Sequence, residues 1–501
     1  MKELMNSRIS PLSCAAVLLA GWSLAALGGP PVNVGRYTND TLVLYAVPHK
    51  APNLDVTGLY VTNGIVDGVN SYARSGLVDG TQYYLYRNSY YSGSLQRTIT
   101  QWFVSAQASG YPLSAHPWWY RYDDLDSVLM PNGASGATGR ITPYIPTVTN
   151  AAALQVKSGH PILFVDSNVV AEAKAKTVLL DEFVAYEEQY YIKTTNASDT
   201  AFIRSQADGL TDGLVNSHEG HYSKIALNYG VYALLTDDPV GEEYCRQLCL
   251  SVLDRPVNYA TSTGDGYVSG VPVLLGILYD YAYDALEPAL RTNIRERIVD
   301  TLDEIQSRYG WYSSAFYSGG HDHYGAMYGL IGLLAIRDEI EGDDASLQTR
   351  YFEHLRVMVN RWIDGYNPVY EWVAEGGATQ MGWAYGPSFT RFYPYLAWEY
   401  ATDEPTWFAG WQEQRALFFL YGLRNTHDPA TQDAGGYDHY PVFGDSYGTG
   451  YNFEYHGLET LVSATRYSNP HAAWLYDTLG KSSLHWRLLY EPTSLATNEP
   501  P

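Results

Sequence analysis

Residues 271–286 read VPVLLGILYDYAYDAL, and this stretch decides the fold. Its apolar residues fall near i, i+3, i+4 and i+7 and continue onto a second face, which predicts a helix covered on more than one side. Such a helix needs other helices packed outside it. Working outward, a helical period or composition recurs at 151–159 (AAALQVKSG), 169–193, 222–236, 242–254, 288–309, 324–340, 349–364, 388–401 and 407–423. Loops rich in Gly, Asp, Asn and Pro separate these runs. Several of these runs are apolar on two faces. Paired helices, an inner set inside an outer one, are therefore expected over 151–490, with a tail at 491–501. No short self-repeat marks a small-unit solenoid. The expected class is mainly α, an (α/α) toroid of helical hairpins.

Before this region the period changes. TLVLYAV (41–47), GLYVT (58–62), TQYYLYRN (81–88) and RTITQWFVS (97–105) are short, β-branched or aromatic runs separated by NG, DG and SG turns. They predict a small β-rich module over 30–150. Its aromatics suit sugar binding as well as packing within a sandwich. Still earlier, Lys2 and Arg8 precede an apolar run at 12–27, followed by Gly28, Gly29, Pro30 and Pro31. That pattern is a secretory signal peptide over 1–29, short for a membrane span. The expected location is secreted or periplasmic, with no membrane association after cleavage.

Composition narrows the partners. The 501 residues carry 54 Asp+Glu against 31 Lys+Arg, a formal net charge of −23. That balance argues against nucleic acid and against anionic membranes. It leaves room for an anionic substrate where Arg is locally concentrated. No Lys occurs between Lys224 and Lys481, so the cations there are Arg and His, with Arg361, Arg391, Arg415 and Arg424 available. Arg binds carboxylates bidentately. Of three cysteines, Cys14 lies in the signal. Cys245 and Cys249 share one helix face and are read as buried free thiols in preference to a disulfide. There is no CxxC or HExxH, so no cofactor is expected and a structural metal ion is left open. Nothing sets an oligomeric state.

Four clusters can carry chemistry. His321, Asp322 and His323 follow a Gly pair and precede an apolar helix, where free N–H groups and the helix dipole favour a carboxylate. An N-cap with surface histidines explains them equally well. Residues 372–386 hold Glu375, Trp383 and Tyr385 among glycines, with Arg391 just beyond. Trp can stack on a sugar face and Tyr can exchange a proton, although both residue types also pack between helices. A Gly-bounded loop at 435–446 holds His439 and Asp445, and His221 lies in a His-Glu-Gly-His run at 218–221. Both are also consistent with capping loops.

Several of these residues, in this order, resemble the heparinase II/III-like and alginate-lyase superfamily of polysaccharide lyases. His160-Pro161-Ile162-Leu163-Phe164 is similar to the opening of the family's helical domain. Residues 278–281 followed by Asp284-Ala285-Leu286 are similar to a characteristic helix. His321-Asp322-His323, Glu375-Gly376 and Phe443-Gly444-Asp445 resemble three further segments. The similarity covers roughly 155–480. It implies β-elimination on a uronic-acid polysaccharide, an anionic partner. A neutraliser of the sugar carboxylate acidifies the C5 proton, a Tyr or His removes it, and a Tyr protonates the leaving oxygen. Carried over, His323 is neutraliser or base, Asp322 stands where the family commonly has Asn, and Tyr385 is the catalytic Tyr; His439, the titratable candidate of the 435–446 loop, is added to the expected catalytic set. His321, Trp383, Glu375, Arg391 and His221 are the expected substrate-binding residues.

This chain departs from the pattern in three places. Asp322 is a carboxylate facing an anionic substrate, and the family spacing would put the Tyr at position 379, which is Thr379. The large C-terminal β-sandwich of many relatives is not expected before Pro501. Two other readings stay open. One is a glycoside hydrolase on the same toroid, with Asp322 and Glu375 as a carboxyl pair about 5–10 Å apart. The other is a non-catalytic glycan-binding protein.

Overall fold

The computed structural model describes residues 41–45, 56, 58–93, 96–111, 118–121, 140–143, 148–192, 199–214, 219–257, 265–309, 322–363, 392–406, 409–422, 456–479 and 483–492. The signal segment lies outside them. The protein divides into two compact units, Met1–Tyr144 and Ile145–Pro501; the boundary expected from sequence was near residue 150. The protein is mainly helical, with a small antiparallel sheet in the first unit.

The sheet comprises β1 (Thr41–Tyr45), β2 (Gly58–Val66), β3 (Val69–Arg74), β4 (Tyr84–Ser92), β5 (Arg97–Ser105), β6 (Trp118–Arg121) and β7 (Arg140–Pro143), in the order β6-β5-β4-β3-β2-β1-β7. Every pairing is antiparallel. Strands β3, β6 and β7 lie outside the runs expected from sequence; β3 follows β2 directly. It is reached through a tight hairpin at Asp67-Gly68, where both residues have positive φ (53° and 76°), the geometry whose twist matches paired strands. The register sets Tyr72 opposite Leu85 and Leu85 opposite Val104. Tyr60, Tyr72, Leu85, Trp102 and Val104 thereby share one buried cluster.

The second unit contains, among the described residues, α1 (Ser167–Ala175), α2 (Thr177–Tyr190), α3 (Thr200–Leu214), α4 (Glu219–Thr236), α5 (Pro239–Leu253), α6 (Asp265–Tyr281), α7 (Pro288–Tyr309), α8 (Asp322–Ile336), α9 (Ala345–Arg361), α10 (Tyr393–Thr402), α11 (Ala409–Gly422), α12 (His456–Thr465), α13 (Pro470–Leu479) and α14 (Leu484–Tyr490). Residues 151–159, read as helical, form only a 3-10 turn at Ala151–Ala153 before the chain extends.

The deciding stretch is helical as its pattern predicts as far as Tyr281, after which Tyr283–Ala285 forms a 3-10 turn. In α6, Val273, Leu274, Leu275, Ile277, Leu278 and Tyr279 are all fully buried, as are Leu330, Ile331, Leu333, Leu334, Ala335 and Ile336 of α8. Over Gly270–Tyr281 and Gly329–Ile336 the two helices are covered all round. By contrast, α5 buries Tyr244, Cys245, Leu248, Cys249 and Val252, one stripe at helical spacing. Cys245 and Cys249 are free, buried thiols. Helices α4, α6, α8 and α10 contact one another in succession. Helices α3, α5, α7 and α9 form a second series outside them, α3 against α5, α5 against α7, α7 against α9.

The inner helices approach closely at glycine. A Cβ on Gly332 would lie 2.6 Å from the Pro272 carbonyl oxygen, and one on Gly276 would lie 2.8 Å from the Gly332 Cα. Both obstacles are backbone, so no side chain can swing aside. Gly332→Ala is expected to destabilise the unit by about 1–3 kcal/mol, measured by denaturant unfolding. A neutral or stabilising result would show that the α6–α8 crossing is looser than described.

Candidate functional site

Glycine contacts fix the direction of the inner helices. Gly270, near the start of α6, faces the ring of Tyr222 near the start of α4, while Gly230 faces Tyr281 at the end of α6. Helices α4 and α6 therefore run parallel. Gly332 of α8 lies against Pro272 and Gly276, and further along Tyr279 donates a hydrogen bond to Glu339, just past α8. So α6 and α8 are parallel too, and the starts of α4, α6 and α8 lie at one end of the helical unit.

This end collects several sequence candidates. Helix α4 begins at Glu219, so His221 lies in its first turn, and Asp322 and His323 are the first two residues of α8. The sequence pattern begins both helices slightly later, at Tyr222 and Tyr324. Each helix start carries a partial positive charge of roughly half an elementary unit and N–H groups without helical acceptors. Three parallel starts add their fields at one end. The side chains of His221, Asp322 and His323 lie outside the described set, as do residues His321, Glu375, Trp383, Tyr385, Arg391 and His439.

Two of the four arginines considered for the cleft are buried. Arg415 is fully buried and its Nε donates to Glu459 Oε2 at 3.2 Å, with the Glu459 side chain only 1% exposed. Its charge is met inside the protein. Arg361 is 7% exposed. Arg391 and Arg424 lie outside the described residues.

The opposite end carries a buried polar cluster. His160 Nδ1 lies 2.6 Å from Asp280 Oδ1, and the same carboxylate accepts from the Ile162 and Leu163 backbone N–H groups at 3.0 and 2.8 Å. The Asp280 side chain is fully buried and that of His160 is 4% exposed. Burial pushes the Asp280 carboxyl up, against His160 and the two N–H groups, which favour its ionised form. The His160 ring stacks on Tyr283 at 4.1 Å, and Tyr281 donates to the Leu163 carbonyl at 2.8 Å.

Around this clamp, Arg295 reaches both oxygens of Asp343 at 2.6 Å and Glu339 at 2.6 Å. Burial raises the Glu339 carboxyl, but hydrogen bonds from Tyr279 and Tyr283 and the charges of Arg295 and Arg291 win and lower it overall. From Asp265 to Asp280 the helix rises roughly 20 Å, so the clamp is well removed from the α8 start. Among the described residues no group of three or more His, Cys, Asp or Glu is arranged to hold a metal ion.

In sequence, His160 and Asp280 entered only as parts of motifs. Their coupling was not read. The available signal was Asp280 closing the apolar run 271–279, a carboxylate that must find a partner when buried. The chain matches no protein-family model and no curated protein.

Proposed function

We propose that the protein is an exported polysaccharide lyase that cleaves a uronic-acid polysaccharide by β-elimination on an (α/α) toroid, similar to the heparinase II/III-like and alginate lyases. The observation that carries this reading is the common end at which parallel α4, α6 and α8 begin, with His221, Asp322 and His323 in their first turns. A site built on several helix starts attracts the sugar carboxylate, whose neutralisation is the first requirement for removing the C5 proton. The toroid is supported by the alternation of inner and outer helices and by α14, which packs back against α1, α2 and α4.

In this reading His323 neutralises the carboxylate or takes the proton, and Tyr385 protonates the leaving oxygen. Asp322 and His439 complete the catalytic group. His221, His321, Glu375, Trp383 and Arg391 bind the chain of sugars.

The test is ultraviolet absorbance of the unsaturated uronate product, with alginate, ulvan, glucuronan and glycosaminoglycans as substrates. A rise with one polymer is expected, reduced by about a hundredfold or more in both His323→Ala and Tyr385→Phe, the scale of a lost acid or base. Release of reducing ends from a neutral glycan without that chromophore would replace the lyase with a hydrolase. Binding without any cleavage would leave a glycan-binding protein.

A further inference from the structure

The closing helix α14 meets α2 and α4 at a polar group that the proposed reaction does not use. Glu187, on α2, is 1% exposed, and among the described residues its Oε2 has no hydrogen-bond partner. Lys224, on α4, acts electrostatically on both Glu187 and His485 of α14. His485 is buried, with its Nε2 3.0 Å from the Ser483 hydroxyl. The other titratable groups facing Glu187 are Tyr191 just beyond α2 and Tyr229 on α4, with Tyr244 and Cys245 of α5 behind Tyr229. Among these described residues Lys224 is the cation.

We propose that Glu187, Lys224 and His485 form a proton-operated latch: with Glu187 neutral, α14 is seated against α2 and α4, and ionisation of Glu187 unseats it. An ionised carboxylate with an oxygen lacking a donor among the described residues is costly in a buried seam. Of the three helices, α14 is the one that yields. It has seven residues, too few to persist as a helix without tertiary contacts. It is held instead by Trp486, Leu488 and Leu489, all essentially buried, and by Lys176 donating to the Leu488 carbonyl at 2.6 Å.

The direction of the response follows from the two acid–base groups. Burial pushes the Glu187 carboxyl up from its ordinary 4.5 to about 8, against the attraction of Lys224. The seated state therefore holds this proton more tightly than the unseated one. Its stability falls as pH rises from about 4.5 to about 8 and then levels. Burial, then Lys224, pushes His485 down from 6.5 to about 3. That group favours the seated state less as pH falls from about 6.5 to about 3. Between about 4.5 and 6.5 the two slopes oppose, so the latch is closed most firmly there and opens on the alkaline side.

Hydrogen exchange of the amides in 484–490, corrected for the intrinsic rate, tests this on the full chain. Protection is expected to fall by roughly tenfold or more between about pH 6 and about pH 9, and to stay level over that range in Glu187→Gln. Glu187→Met, also neutral, serves if the glutamine amide finds no partner and the variant fails to fold. Equal loss of protection in wild type and neutral variant, or no loss in wild type, would overturn the latch.

Discussion

Replacing Asp280 with alanine is expected to destabilise the helical unit by about 3–5 kcal/mol, the scale for deleting one partner of a buried charged hydrogen-bonded group. The carboxylate accepts from His160, Ile162 and Leu163, residues about 120 positions away in the chain. Without it, two buried backbone N–H groups and one imidazole nitrogen lose their acceptor at once, each a desolvation cost of about 1–3 kcal/mol. Asp280→Asn is the sharper variant. Its amide keeps one acceptor oxygen but cannot serve all three donors, and its NH2 faces donors. It is expected to lose nearly as much as alanine. His160→Ala leaves the backbone pair intact and is expected to cost less than either. Denaturant unfolding of the three variants gives the order. If His160→Ala proved the most damaging, the clamp would be held by the ring and its stacking on Tyr283 rather than by the backbone donors.

That clamp also shows where the sequence stops being legible. Helix period was visible in VPVLLGILYDYAYDAL because an all-round apolar helix has few alternatives, and α6 and α8 are buried as that pattern requires. The Ala-rich run at 151–159 misled, since helix propensity is a weak prior against tertiary demands. There Lys157 N–H bonds to the Ala401 carbonyl at 2.8 Å, Gly159 adopts φ 83°, and Gly159 N–H reaches the Asp338 carboxylate at 3.0 Å. Strand β3 escaped because VNSYAR has little alternation of its own and is defined by the hairpin before it. At the candidate site, the positions of Asp322 and His323 near a helix start were readable from the glycine pair before them. That α4, α6 and α8 start at the same end was not, because it depends on packing between segments some fifty residues apart.

Long-range pairing of the same kind governs Arg415, which the charge pattern offered as a cation for a substrate carboxylate. Its guanidinium joins α11 to Glu459 of α12, with side chains 0% and 1% exposed, and lies 5.2 Å from the Trp411 ring centroid. Arg415→Ala is expected to cost about 3–5 kcal/mol, because a buried carboxylate is left facing an emptied site. Glu459→Ala should cost a similar amount by stranding the guanidinium. The double replacement Arg415→Met with Glu459→Leu removes both charges at nearly constant volume, and it is expected to return to within about 1 kcal/mol of wild type or to exceed it. The same cycle separates structure from function. A stable double variant with full polymer cleavage identifies Arg415 as a packing cation and leaves carboxylate recognition to the α4, α6 and α8 starts. A stable double variant that has lost cleavage would return Arg415 to the substrate cleft and remove the internal ion pair as the explanation of its burial.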